Sequence, residues 1–183
     1  VLYHAKAGFD IMNRFLALIF VFFIGSITNE AYPQTTQKLF SLGRNKNSNK
    51  VCYEARIAKD GLLDREEPVR AYWINFVKDS SGNTVEELSL LEKNMVYGCK
   101  VNGKGDGKSV EMTIVSYPDR TITVSLQNGN ATAQTIINGH PSFIDSIFIR
   151  YRETRMFPKV TAIELFGRAL KGNASLFESI KPK

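Results

Sequence analysis

The chain has 183 residues, with 24 lysines and arginines against 18 aspartates and glutamates, a formal net charge of +6, two histidines and two cysteines. That is one domain's worth of chain, long enough to bury a core without staples or metals. So few imidazoles and thiols argue against the usual histidine and cysteine zinc centres and against most histidine-dependent catalysis.

Met12-Asn13-Arg14 precedes the unbroken apolar run Phe15 to Ile24, which gives way to Gly25, Ser26 and a polar segment. These are the charged, apolar and cleavage regions of a secretory signal peptide. The run is well short of the ~20 residues that cross a bilayer, so no membrane span is expected after cleavage. Residues 1–31 are expected to be an upstream extension and signal peptide. Residues 32–49 read as a linker with a first short strand around Leu39, Phe40 and Leu42, and residues 50–183 as a single β domain. Export would put the mature chain in the periplasm or outside the cell, where nucleic acid is not a natural partner. Its positive charge would then reflect a solvated surface, or weak attraction to a cell-envelope protein or polysaccharide.

From Val51 to Ile57 apolar and polar residues alternate, and Asp60-Gly61 ends the strand. Val69 to Val77 is apolar on both faces, which predicts a central strand covered on both sides. After Ser81-Gly82 the spacing of Val85, Leu88, Leu91 and Met95 predicts a packed helix, with Thr84 and Glu87 as its capping box. Strands follow at Tyr97 to Val101 and Val110 to Ser116, with a glycine-rich turn from Gly103 to Gly107 between them. Thr121 to Leu126 alternates cleanly, and Asn128-Gly129 and Asn138-Gly139 are hairpin signals on either side of Ala131 to Ile137. Phe143 to Tyr151 reads as a long strand with Ile147, Ile149 and Tyr151 on one face. Val160 to Phe166 and Ser175 to Ile180 complete the pattern. The expected fold is mainly β, an antiparallel sandwich or closed barrel of about eight strands with one packed helix.

Past the leader His140 is the only histidine, in a Gly139-His140-Pro141 turn, and no Gly-x-Ser-x-Gly elbow presents a nucleophile. The run Gly103 to Ser109 ends in Gly-Lys-Ser but leads into a strand rather than a helix, so it reads as a hairpin turn and not a phosphate loop. No catalytic residue, metal site or cofactor is expected. The candidate ligand-binding residues are Tyr53, Glu54, Tyr72, Trp73, Glu92 and Tyr97. Their aromatic members could line a pocket for an apolar or sugar ligand, or simply fill the core. Glu54 and Glu92 could cleave a glycosidic bond if held ~5 to 9 Å apart, or form ion pairs with Arg44, Arg56 or Lys93. Spacing alone leaves Cys52 and Cys99 open to a disulfide or to two buried thiols.

Several separate words of the chain carry a resemblance. They are Arg44-Asn45-Lys46-Asn47-Ser48-Asn49 running on to Tyr53-Glu54-Ala55, Pro68-Val69 with Tyr72-Trp73-Ile74, Glu92 and Tyr97-Gly98. Ile137-Asn138-Gly139 and Ile163-Glu164-Leu165-Phe166-Gly167 complete the set. From Phe40 to Ile180 the chain resembles the bacterial domain of unknown function 4833 family of predicted exported proteins. The resemblance implies export and no particular activity, substrate or cofactor. It also implies that Cys52 and Cys99 stand where aliphatic residues are commoner, which favours buried thiols, and that His140 stands where a lysine is expected.

The functional expectation is an exported, non-enzymatic binding or interaction module. A carrier of a small apolar or sugar ligand in a barrel pocket and a carboxylate-dependent glycan hydrolase are the alternatives. N-terminal sequencing of exported material should find a start between Ile27 and Gln34. An intact Val1 or Met12 would contradict the leader assignment.

Overall fold

Residues 35–102, 106–155 and 159–181 are described in a computed structural model of the protein. The expected leader lies outside them, as does most of the turn that begins at Gly103. Among the described residues, eleven strands and one short helix make a mainly β fold: β1 (Thr35–Arg44), β2 (Asn47–Ile57), β3 (Val69–Ile74), β4 (Val85–Glu87), α1 (Leu90–Met95), β5 (Cys99–Asn102), β6 (Ser109–Ile114), β7 (Tyr117–Gln127), β8 (Asn130–Ile137), β9 (His140–Arg152), β10 (Lys159–Ala169) and β11 (Ser175–Ile180).

The longest strand, β9, organises the rest. Ser142 and Phe143 pair with β8 and β10 at once, and Ser146 to Ile149 pair with β1 and β10 at once. β8 and β1 therefore share one edge of β9, opposite β10. From that edge two arms run outward, β1-β2-β3-β4 and β8-β7-β6-β5, while β11 lies outside β10. The arms curl so that their inner faces meet in one apolar cluster. Phe40, Val51, Tyr53 and Ala55 come from one arm, Met112, Ile122, Val124 and Ile137 from the other, and Ile147 and Leu165 from the strands at the branch.

This is a curled, open half-barrel and not the closed barrel or two-sheet sandwich expected. Its last strands, β4 and β5, make no ladder with each other. A cleft separates β3 from β5, flanked by Val69, Ala71, Cys99 and Val101. At the cleft Lys93 Nζ of α1 meets Glu67 Oε1 at 2.9 Å, and the Leu63 N–H donates to the Gly107 carbonyl at 2.7 Å from one arm to the other. Nor is the sheet wholly antiparallel, since β1 runs parallel to β9. The whole of β2 to β8 serves as the crossover that a parallel pair requires.

Local chemistry explains the elements that formed as expected. Asn128-Gly129 and Asn138-Gly139 all adopt positive φ, the requirement of the two-residue hairpin turn whose twist suits flanking strands. On β7, Ile122 and Val124 are buried as their alternation predicts. The helix is different. Val85–Glu87 instead pairs with β3 through Ile74, Trp73 and Tyr72, and α1 is six residues long with no buried residue. Its capping box is Ser89 with Glu92 rather than Thr84 with Glu87. A short amphipathic helix without a docked face is marginal, whereas the free edge of β3 offers backbone hydrogen bonds at once. Leu91 and Met95 are left 72% and 63% exposed, so the expected packed face does not exist.

The strand expected at the centre lies next to the end of its arm and stops at Ile74, with Val77 exposed. Its second apolar face is covered by neighbouring side chains, not by another layer: the Arg70 guanidinium lies 4.9 Å from the Tyr72 ring centre. Ten residues of β1 replace much of the expected linker.

Two substitutions test this packing. Trp73, 8% exposed and edge-on to Tyr97 at 5.1 Å, should cost about 3 to 5 kcal/mol when replaced by alanine. Tyr53 stacks on Phe40 at 4.5 Å and donates its hydroxyl to the Tyr97 carbonyl at 2.9 Å. Tyr53→Phe should cost about 1 to 2 kcal/mol, because the hydroxyl that satisfied that carbonyl is lost. Denaturant unfolding measures both, and a loss for Trp73→Ala under about 1 kcal/mol would place the indole on the surface.

Candidate functional site

Cross-strand register sorts the six candidate residues. On β2 and β3, Val51 faces Trp73 and Tyr53 faces Ala71 on the inner side, whereas Cys52 faces Tyr72 and Glu54 faces Arg70 on the outer side. Tyr53 is sealed in the core. Glu54 accepts a hydrogen bond from the Tyr72 hydroxyl on the outer face. Trp73, Glu92 and Tyr97 come together at the inner rim. Glu54 and Glu92 thus bond to side chains on opposite faces of one sheet, and such a pair does not flank a single glycosidic bond.

The inner group is built around a residue that the candidate set omits, Arg44 at the end of β1. Its guanidinium lies 4.7 Å from the Trp73 ring centre and 5.9 Å from that of Tyr97. Its Nη1 donates to the Tyr97 hydroxyl at 2.9 Å. Backbone geometry fixes it there: Arg44 pairs with Asn47 on β2 and with Ile149 on β9. Asn45 then extends the ladder with its side chain, donating to the Tyr151 carbonyl at 2.9 Å and accepting from the Tyr151 N–H at 3.1 Å. The Trp73 indole N–H donates to Glu92 Oε1 at 3.1 Å, while Glu92 Oε2 accepts from the Ser89 N–H and hydroxyl.

Beside this group a pocket of about 280 Å³ opens between the arms. Leu42, Ile114, Ile147, Ile149, Val160 and Ile163 give it apolar walls. Arg44, Lys46, Tyr97, Tyr117 and Tyr151 supply its polar groups. Among the described residues neither Arg44 nor Lys46 forms an ion pair with a carboxylate. Arg44 Nε and the Tyr151 hydroxyl are closed to water and have no hydrogen-bond partner among the described residues. Orphaned buried polar groups of this kind cost about 1 to 3 kcal/mol each, more where charged. Tyr97 alone of the six expected residues lines the pocket.

Protonation states suit binding more than bond-making. Burial raises the Tyr97 phenol despite the opposing Arg44 charge and hydrogen bond, so it stays neutral. Burial also raises both thiols, Cys99 to about 12, which disfavours the nucleophilic thiolate near neutral pH. Both cysteines are free, which leaves out the disulfide, but only Cys52 is a buried thiol and Cys99 is half-buried. His140 sits exposed at the start of β9, paired with Ile137. Among the described residues no three His, Cys, Asp or Glu side chains gather as metal ligands would.

One signal could have found Arg44. Phe40 and Leu42 point inward, and the period of two carries Arg44 to the same side. Ile147, Ile149 and Tyr151 share a face by the same rule, and all three line the pocket.

The Glu92 carboxyl is raised by burial, but its hydrogen bonds from Ser89 and Trp73 and the Arg44 charge leave it below the ordinary 4.5. Its contribution to stability is therefore full above 4.5 and fades as pH falls through the lower folded value. Trp73 is the only tryptophan, so acid titration of its emission should show a step below 4.5. Glu92→Gln should lack that step; the same step in both proteins would detach the indole from Glu92.

A family model described as Domain of unknown function (DUF4833) matches residues 40–179. No curated protein and no solved structure matches the chain.

Proposed function

We propose that this chain, which belongs to the domain of unknown function family DUF4833, is a non-enzymatic binding module that carries a small, largely apolar ligand between the arms of its half-barrel. The observation that carries this reading is the pocket itself. Apolar side chains from both arms and from β9 and β10 wall it, and polar groups gather around the Arg44 guanidinium. Ligand sites are commonly concave, mostly apolar and fitted with a few convergent polar groups. The mouth of a β-barrel is a frequent place for one.

A volume of about 280 Å³ suits a small molecule rather than a polymer chain. This favours the carrier over binding of a long polysaccharide. The split of Glu54 from Glu92 removes the geometric support for glycan hydrolysis. Export, expected from the leader, would place the carrier in the periplasm or outside the cell, where hydrophobic small molecules need a protein to shield them from water.

The test uses the neutral dye N-phenyl-1-naphthylamine, together with native mass spectrometry of the protein as exported. The wild-type protein should bind the dye, and Val160→Phe, which crowds the pocket wall, should weaken binding roughly tenfold with an unchanged unfolding midpoint. No dye uptake and no co-purified small molecule would rule out the carrier reading.

A further inference from the structure

The donors around the pocket point to more than an apolar occupant. Arg44 spends Nη1 on the Tyr97 hydroxyl, which occupies one side of the guanidinium. The other side, Nε with Nη2, is the fork that a carboxylate takes with two parallel hydrogen bonds. Among the described residues no group accepts from Nε. Because the Tyr97 hydroxyl accepts from Arg44, its own proton is free to point to another acceptor. The Tyr151 hydroxyl of the same pocket lining has no partner among the described residues either, and Lys46 adds a second cation to that lining.

The acid nearest in charge is Glu92, but its oxygens are engaged by Trp73 and Ser89 and form no ion pair with Arg44. A structural arginine stacked on aromatic rings needs no such surroundings. The excess of donors over acceptors at one end of an apolar pocket is what an anionic head group would correct.

We infer that the ligand is a small apolar carboxylate, its hydrocarbon body between the β1, β9 and β10 side chains and its head on the Arg44 fork with Tyr151. The inference rests on the carrier reading and gives that site its ligand class. Entry of the head must displace the side chains that now shut Nε off from water. A free fatty acid and an aromatic acid share this chemistry, and the head group is what both would present.

The experiment compares octanoate with octanol, alike in chain and different in charge, by following Trp73 emission and by calorimetry at pH 7. Octanoate should bind at least about tenfold more tightly than octanol. Tyr151→Phe removes one donor and keeps the ring. It should narrow that preference several-fold in a protein that stays folded, with an unfolding midpoint no lower than that of the wild type, because the hydroxyl it removes has no partner among the described residues. Arg44→Gln should abolish the preference, and Arg44→Lys, which keeps the charge but lacks the fork, should restore only part of it.

Equal binding of octanoate and octanol would overturn the carboxylate assignment and leave the carrier intact. So would tighter binding of octanol, or a preference that survives both Tyr151→Phe and a folded Arg44→Gln. Failure of octanoate to bind a protein that takes up the neutral dye would do the same. Failure of the dye as well would remove the carrier reading itself.

Discussion

The structure depends on the branch at β9. One edge of that strand holds β8 antiparallel along its first residues and β1 parallel along later ones, so a single sheet leaves it as two arms. Each arm alone would expose a wide apolar face. Curling together, they bury those faces against each other, with Tyr53, Met112 and Val124 wholly enclosed between them. The pocket follows from the same geometry. The last part of β9 runs on past Ile149, where its pairing with β1 ends, and Ile149 and Tyr151 are left facing the space between the arms.

Arg44 occupies the point where that space meets the core. A guanidinium there loses much of its hydration, and the Trp73 and Tyr97 rings return part of it through their π faces. The rings are held from elsewhere. Trp73 is fixed by Glu92 at its indole N–H, and Tyr97 by its N–H to the Glu92 carbonyl and by Tyr53 at its own carbonyl. Gly98 allows this arrangement, because a Cβ there would lie 1.9 Å from the Lys93 carbonyl oxygen. The short helix therefore matters less as a packed element than as a support for Glu92. Its capping box, made by the same carboxylate, holds that support in place.

Local chemistry made much of the β content legible. Alternation on β2 and β7 and the two Asn-Gly turns need only neighbouring residues to be read. What failed depended on distant partners. The Val85 to Met95 pattern fits a helix, yet its first part pairs with Tyr72 and Trp73, more than ten residues back in the chain, and nothing local announces that edge. Likewise the parallel pairing of Leu42 with Ile147 joins residues that no local pattern links. The site was half legible. Trp73, Glu92 and Tyr97 do converge, whereas simple parity from Tyr53 already sends Glu54 to the opposite face. Arg44 was readable from Phe40 and Leu42, but a charged residue at the inward end of a strand is ordinarily assigned to solvent.

In the proposed carrier, the side of the Arg44 guanidinium that carries no hydrogen bond binds the ligand and is not only part of a stacked structural cation. Side-chain Nε–H resonances of arginine report hydrogen bonding directly, and Arg44 can be assigned by its loss in Arg44→Lys. On saturation with octanoate a large downfield shift of the Arg44 Nε–H signal is expected, with those of Arg120 and Arg168, each already ion-paired to a carboxylate, unmoved. An Arg44 signal that stays in place while octanoate saturates the protein would contradict it.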